Sequence, residues 1–155
     1  MQYRVCKAFE IESGHMLSKH PGRCRFPHGH SRRVEVVVSS KVLDANDMVC
    51  DFKALKLAVG QLIDRFDHAM AVNQSDPAIP NLRSAGLGDR LIEFPGEDPT
   101  TEAIARRIYE GVADLVRDGR SIKDDDGVPY TLPPGLTIER VRVSETPSTW
   151  AEYGL

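Results

Sequence analysis

The spacing of apolar residues changes repeatedly along this chain, and each change marks an element. In "RRVEVVVSSKVL" the period is two, with Val34, Val36 and Val38 on one side of an extended segment and Arg33, Glu35 and Val37 on the other. The N-terminal "YRVCKAFEIES" alternates more loosely and also reads as a strand. From Phe52 the period lengthens: Phe52, Leu55, Val59, Leu62, Ile63 and Phe66 form one helical stripe, with Asp51 placed to cap it. A second stripe of Ile104, Ile108, Val112 and Leu115 follows Asp98 as cap and Pro99 at the first helical position. "LTIERVRVSET" returns to alternation but slips near Arg140, which predicts a bulge, and "TWAEYGL" supplies a short last strand.

Between these elements, residues 73–90 are rich in Gly, Pro and Asn and read as a long loop, with "RLIEF" as a short strand after it. "DGRSIKDDDGVPYTLPPG" reads as a solvated, turn-rich connector. The order β-β-α-(β)-α-β-β predicts one α+β domain over residues 1–155, with antiparallel hairpins at both ends. At 28% charged and 41% apolar the composition is that of a soluble globular protein. No apolar run approaches the roughly 20 residues of a membrane span, and the N-terminus lacks the apolar stretch of a signal peptide. A net charge of −3 argues against a general nucleic-acid binder, so any anion site is local. Cys6, Cys24 and Cys50 are too few and too scattered for a disulfide framework, which places the chain in a reducing cytoplasm.

The chemistry concentrates in "CRFPHGH". His28 and His30 are two apart, so in extended structure both imidazoles share a face, and a hairpin brings His15 alongside. Three neutral imidazoles leave the fourth tetrahedral position open, the pattern of a catalytic zinc site; the competing reading is a pair of surface turn histidines. Cys24 reads as a fourth ligand that closes the site, as a free thiol acidified by Arg23 and Arg25, or as an inert cysteine. Cys6 and Cys50 lie beside apolar residues inside predicted elements and read as buried and inert. In "FDHAM", Asp67 stands next to His68: an oriented acid/base imidazole, or simply a histidine favoured at a helix C-terminus. Thr100, Thr101 and Glu102 of "PTTEAI" suit a helix start. Glu145 shares a face with Val141 and Val143. There it is either an exposed strand-end carboxylate or one awaiting a bidentate partner such as the amide edge of a pterin or guanine.

Taken in order, His15, Cys24-x-x-x-His28-Gly-His30, the valine-rich strand, "MVCDF", "DH", "PTTE" and "SET" resemble the 6-pyruvoyl-tetrahydropterin synthase / 6-carboxy-tetrahydropterin synthase family from about Phe9 to Tyr153. The three-residue gap before His28 is similar to that of the bacterial carboxy-tetrahydropterin branch of queuosine biosynthesis. The resemblance implies zinc held by His15, His28 and His30, with Cys24 as catalytic thiol and Asp67 with His68 completing a proton-transfer triad. It implies that Glu145 anchors the pterin, assisted by Thr100, Thr101 and Glu102. It implies the tunnelling fold, an antiparallel four-stranded sheet with two helices on one face, closed into a barrel by trimers that stack as hexamers, with sites between subunits.

The implied activity is zinc-dependent conversion of 7,8-dihydroneopterin triphosphate to 6-carboxy-tetrahydropterin, acetaldehyde and triphosphate. The alternatives are the pyruvoyl-forming or a side-chain-cleaving reaction, or a non-catalytic paralogue that binds zinc or a pterin. Lys19, Arg23, Arg25, Arg32 and Arg33 suit a triphosphate locally. The chain departs from the family at Arg32, where an aromatic residue is usual, in the longer "DHAMAVN" segment, and in the long connector 119–135.

Overall fold

A computed structural model describes all 155 residues. β1 (Tyr3–His15) and β2 (His28–Ser40) form one long antiparallel hairpin, in register from Tyr3 opposite Ser40 to His15 opposite His28. α1 (Phe52–Asp64) begins where the Asp51 carboxylate accepts the Lys53 N–H at 2.6 Å, as its sequence predicts. There follow β3 (Met70–Asn73), α2 (Ile79–Leu82), β4 (Leu91–Phe94), α3 (Thr101–Arg117), β5 (Arg120–Lys123), β6 (Pro129–Leu132), β7 (Thr137–Thr146) and β8 (Thr149–Gly154). The main sheet has the order β4-β3-β1-β2-β7-β8. Its β1-β2-β7-β8 part is antiparallel, while β3 and β4 add in parallel at the end of β1. This is the expected tunnelling fold, extended at one edge by two short strands. No helix is long and apolar enough to cross a membrane.

Val34, Val36 and Val38 of β2 and Val141 and Val143 of β7 are wholly buried against Leu55 and Val59 of α1 and Ile104, Ile108 and Val112 of α3. Each such side chain contributes roughly 1.5–3 kcal/mol by leaving water. The two helices approach closely because Gly111 has no side chain: a Cβ there would lie 2.7 Å from Leu62 Cδ2. The other face of the sheet has no helix over it and carries ion pairs instead, Arg33 with Glu10 and Glu35 and Arg142 with Glu152. The predicted bulge is present: the register of β2 against β7 shifts between Val37 and Val38, opposite Arg140 and Ile138, so that Glu139 is the extra residue.

Several expectations are corrected. Thr100, not Asp98, caps α3: its hydroxyl accepts the Ala103 N–H at 3.3 Å. The buried Asp98 carboxylate is engaged by Ser18, the Lys19 N–H and Asn73, and is therefore unavailable as a cap. Val116 rather than Leu115 completes the buried stripe of α3, and Phe52, at the first position of α1, is 57% exposed. The connector after α3 is a hairpin, β5–β6, with Leu132 fully buried and Ile122 and Tyr130 packed on the core. Gly119, at φ 65°, turns the chain into it, and Lys53 pairs with Asp124 and lies 4.5 Å from the Tyr130 ring centroid. Its strands are four residues each, too short to establish a period. Residues 73–90 are not a single loop: they hold α2 and tight helical turns, and β3, which has no alternation to reveal it, runs into them at Asn73. Cys6 is exposed on the face without helices, whereas Cys50 is buried as expected.

Candidate active site

At the loop end of the β1–β2 hairpin, where residues 16–27 join the two strands, the helix-facing side of the sheet turns polar. His15 lies opposite His28 and Ser13 opposite His30, so the alternation of both strands brings three imidazoles together with ring centroids 4.5 to 5.1 Å apart. His15 Nδ1–H donates to the Pro99 carbonyl and His28 Nδ1–H to the Phe26 carbonyl, each at 2.8 Å. These bonds set the tautomer and leave Nε2 of each ring with a lone pair. His15 Nε2 is 3.2 Å from His30 Nε2, and His28 Nε2 is buried with no partner at all. The three ligand atoms lie within 4.8 Å of one another. Zinc–nitrogen distances of ~2.0–2.1 Å place neighbouring tetrahedral ligands about 3.3 Å apart, so the cluster fits a metal ion with little adjustment.

Burial pushes the His15 pKa down to about 4, with the Pro99 carbonyl opposing and the Arg32 charge adding to the fall. Burial and Arg32 also lower His30, against the pull of Glu145. Both rings are therefore neutral near pH 7, the form in which imidazole ligates. Cys24 is not part of the group. It sits half-buried in the 3₁₀ turn Arg23–Arg25, and its carbonyl accepts the Leu17 N–H at 3.0 Å, tying that turn to the end of β1. The gathered set is three histidines, the open rather than the closed arrangement.

Glu145, near the end of β7, completes the polar end. Its Oε1 is 3.7 Å from His30 Nε2, and its Oε2 accepts a hydrogen bond from the Thr101 hydroxyl at the start of α3. Burial raises its carboxyl pKa, but the Thr101 bond and the Arg32 charge outweigh that and hold it below the usual range. Of the segment 100–102, Thr101 touches the cluster, Thr100 caps the helix, and Glu102 is exposed.

Asp67 and His68 lie just past α1, clipped to β1 from both sides. The Glu12 N–H donates to Asp67 Oδ1 at 2.7 Å, and the His68 N–H donates to the Glu12 carbonyl at 2.6 Å. His68 has φ 53°, a left-handed conformation that costs a non-glycine residue roughly 1–2 kcal/mol, so the clip holds strain at this point. Asp67 Oδ2 is 3.0 Å from His68 Nδ1 and orients the ring. The Glu12 N–H, opposed by burial and aided by His68, lowers the Asp67 pKa, so it is a carboxylate at neutral pH. His68 and His30 share an open cleft of about 450 Å³ with Glu12, Ser31 and Arg90, and Cys24 is not in its walls.

The basic residues near the turn divide differently from expectation. Arg33 lies on the helix-free face in ion pairs, and Arg32 is fully buried beside the histidines; Lys19, Arg23 and Arg25 are the ones left exposed to meet an anion. The burial of Arg32 was foreseeable. It continues the period-two series of His28 and His30 on the face that holds Val34. The Pro99 carbonyl that meets His15, and Asp98, which holds Ser18 and the Lys19 N–H, have no signal in a single sequence because their role depends on where α3 docks.

The family description 6-pyruvoyl tetrahydropterin synthase matches residues 4–154. The chain is 34% identical over 171 aligned positions to the 6-carboxy-5,6,7,8-tetrahydropterin synthase of Aquifex aeolicus, covering 99% of this chain and 98% of that protein. The Haemophilus influenzae protein of the same name is 27% identical, with 97% and 98% covered. Among solved structures, an uncharacterized protein from Wolinella succinogenes superposes with a TM-score of 0.78 at 21% identity, covering 99% of this chain and 98% of that one. The 6-pyruvoyl tetrahydropterin synthase of Plasmodium vivax superposes with a TM-score of 0.66 at 15% identity, covering 100% and 99%. At such identities the superpositions speak to the fold alone. The sequence matches span nearly the whole chain, including the hairpin end where the histidines converge, and on that footing the chain belongs to the 6-pyruvoyl tetrahydropterin synthase family.

Proposed function

We propose that this chain is a zinc-dependent 6-carboxy-5,6,7,8-tetrahydropterin synthase. It would take 7,8-dihydroneopterin triphosphate and one water to 6-carboxy-tetrahydropterin, acetaldehyde and triphosphate, in the cytoplasmic route to queuosine. The observation that carries this reading is the three-histidine cluster with an orphaned, buried His28 Nε2, in a chain similar along its whole length to proteins of that name. His15, His28 and His30 hold the metal, which supplies Lewis acidity to the substrate's side-chain hydroxyls when bound.

The chain's own residues do the rest. Glu145 accepts the two N–H donors of the pterin's amide edge with its carboxylate, Oε1 being free of Thr101 and Oε2 keeping a second lone pair. His68, oriented by Asp67, and the Cys24 thiol move protons on and off the side-chain carbons. Lys19, Arg23 and Arg25 face the triphosphate. Incubation with 7,8-dihydroneopterin triphosphate, followed by mass analysis, tests the reading. Acetaldehyde and the 6-carboxy product support it; a three-carbon pyruvoyl product favours the activity in the family's printed name; metal and pterin binding without turnover indicates a non-catalytic paralogue. Cys24→Ala retains metal and loses roughly 100-fold or more in turnover.

The domain, residues 1–155, works as a trimer or stacked hexamer with sites between subunits. Three features support this: the sheet face without helices, the open edges at β4 and β8, and the separation of Cys24 from the cleft that holds His68. Light scattering that reports a monomer sinks the assembly. Co-assembled Cys24→Ala and His68→Ala subunits regain activity if the site is shared, and stay inactive if each chain works alone.

A further inference from the structure

Arg32 is the largest side chain in the molecule with no solvent exposure. Its guanidinium lies where the valine core meets the imidazoles: Nη2 is 3.4 Å from both ring nitrogens of His15, against the ring face. Nη1 donates to Thr101 Oγ1 at 3.0 Å and to the Ser144 carbonyl at 3.3 Å. Nε has no partner, and Glu145 Oε2 lies 4.0 Å from Nη1. A buried cation without a bidentate partner is a poor source of stability. Its role lies in the direction it imposes on its neighbours.

A guanidinium can only donate, so Thr101 Oγ1 must accept from Arg32, and the single hydroxyl hydrogen of Thr101 is committed to Glu145 Oε2. The chain of bonds runs one way, from Arg32 through Thr101 to Glu145. Glu145 ends it as an acceptor, with Oε2 engaged and Oε1 turned toward the histidine cluster. A side chain at position 32 able to accept as well as donate would let the Thr101 hydroxyl turn away from Glu145, and the carboxylate would lose the bond that fixes its direction.

We propose that Arg32 is a positioning and specificity-determining residue. Through Thr101 it fixes the direction of the Glu145 carboxylate, so that the site selects pteridines whose ring edge offers two adjacent N–H donors and rejects those with a carbonyl in that place. The inference rests on the reading of Glu145 as the pterin anchor given above.

The test compares fluorescence titrations of the metal-loaded full chain with pterin (2-amino-4-oxopteridine) and lumazine (2,4-dioxopteridine), which differ at that edge. The wild type binds pterin at least about 30-fold more tightly, the size expected for a charge-assisted hydrogen bond exchanged for a carbonyl facing a carboxylate. In Arg32→Gln and in the near-isosteric Thr101→Val the ratio falls below about fivefold, while Thr101→Ser, which keeps the hydroxyl, retains it. Thermal melts and metal content establish that each variant is folded; if Arg32→Gln does not fold, Thr101→Val decides. Equal loss of affinity for both ligands, with the ratio intact, overturns the proposal and leaves Arg32 a structural residue. So does a wild type that does not discriminate. A metal-loaded wild type that binds neither pteridine overturns the pterin reading itself, and this inference with it.

Discussion

Two halves of one side of β2 can be set against each other. Residues 34, 36 and 38 are valines, sealed by α1 and α3; residues 28, 30 and 32 are two histidines and an arginine under the N-terminal end of α3. The backbone and its period are shared, and Arg32 and Val36 are equally inaccessible to water. The valine half is complete, because dispersion and water exclusion have no direction and any close-packed neighbour satisfies them. The polar half is incomplete: His28 Nε2 and Arg32 Nε are buried without partners. Such atoms cost free energy unless something supplies the missing contact, so the half that breaks the packing rule marks where the molecule meets its ligand.

Four measurements break or sharpen this contrast. The largest effect belongs to the polar half. His28→Ala or His30→Ala drops bound zinc from about one per chain to a small fraction and turnover at least about 1,000-fold, since two imidazoles hold zinc far less well than three. Zinc content by elemental analysis that stays near one per chain in both variants refutes the three-histidine site. Next, the metal-free protein is sensitive to acid through the same half. The folded His15 pKa of about 4 lies below the ordinary value near 6.5, so the folded state binds fewer protons than the unfolded one between those pH values. Stability is full above the unfolded pKa and is lost as pH falls toward 4, by on the order of 3 kcal/mol. Denaturant melts of chelator-treated protein across this range show the slope, and His15→Gln flattens it; an identical slope in the variant would assign it to other groups.

Third, Val36→Ala removes buried methyl groups from the complete half and costs about 2 kcal/mol of stability while leaving zinc content unchanged. Loss of metal in this variant would show that the two halves do not behave independently. The smallest effect is at the joint between them. Thr100→Ala deletes the cap of α3 and costs about 1 kcal/mol, whereas Asp98→Asn, away from the cap, leaves the helix start intact. Amide exchange in residues 101–104 distinguishes the two variants.

The hairpin β1–β2, the Asp51 cap, the bulge near Arg140 and the convergence of three histidines were all legible in the chain. Each rests on neighbours within a few residues or on strict alternation. The β5–β6 hairpin was not, because its hydrophobic positions, Ile122, Tyr130 and Leu132, are spread over strands of four residues and gain meaning only against α1. Cys6 was misplaced for a related reason: alternation separates the faces of a strand but does not say which face the helices cover.

What the sequence determined by itself is which residues share a side: period two puts His28, His30, Arg32, Val34, Val36 and Val38 on one face of β2, whatever that face meets. Only the tertiary structure decided what each of them does there. The docking of α3 brings the Pro99 carbonyl to His15 and the Thr101 hydroxyl between Arg32 and Glu145, joining groups 69 and 44 residues apart. Hydrogen bonds between such distant groups are set by how elements pack, and local pattern carries no record of them.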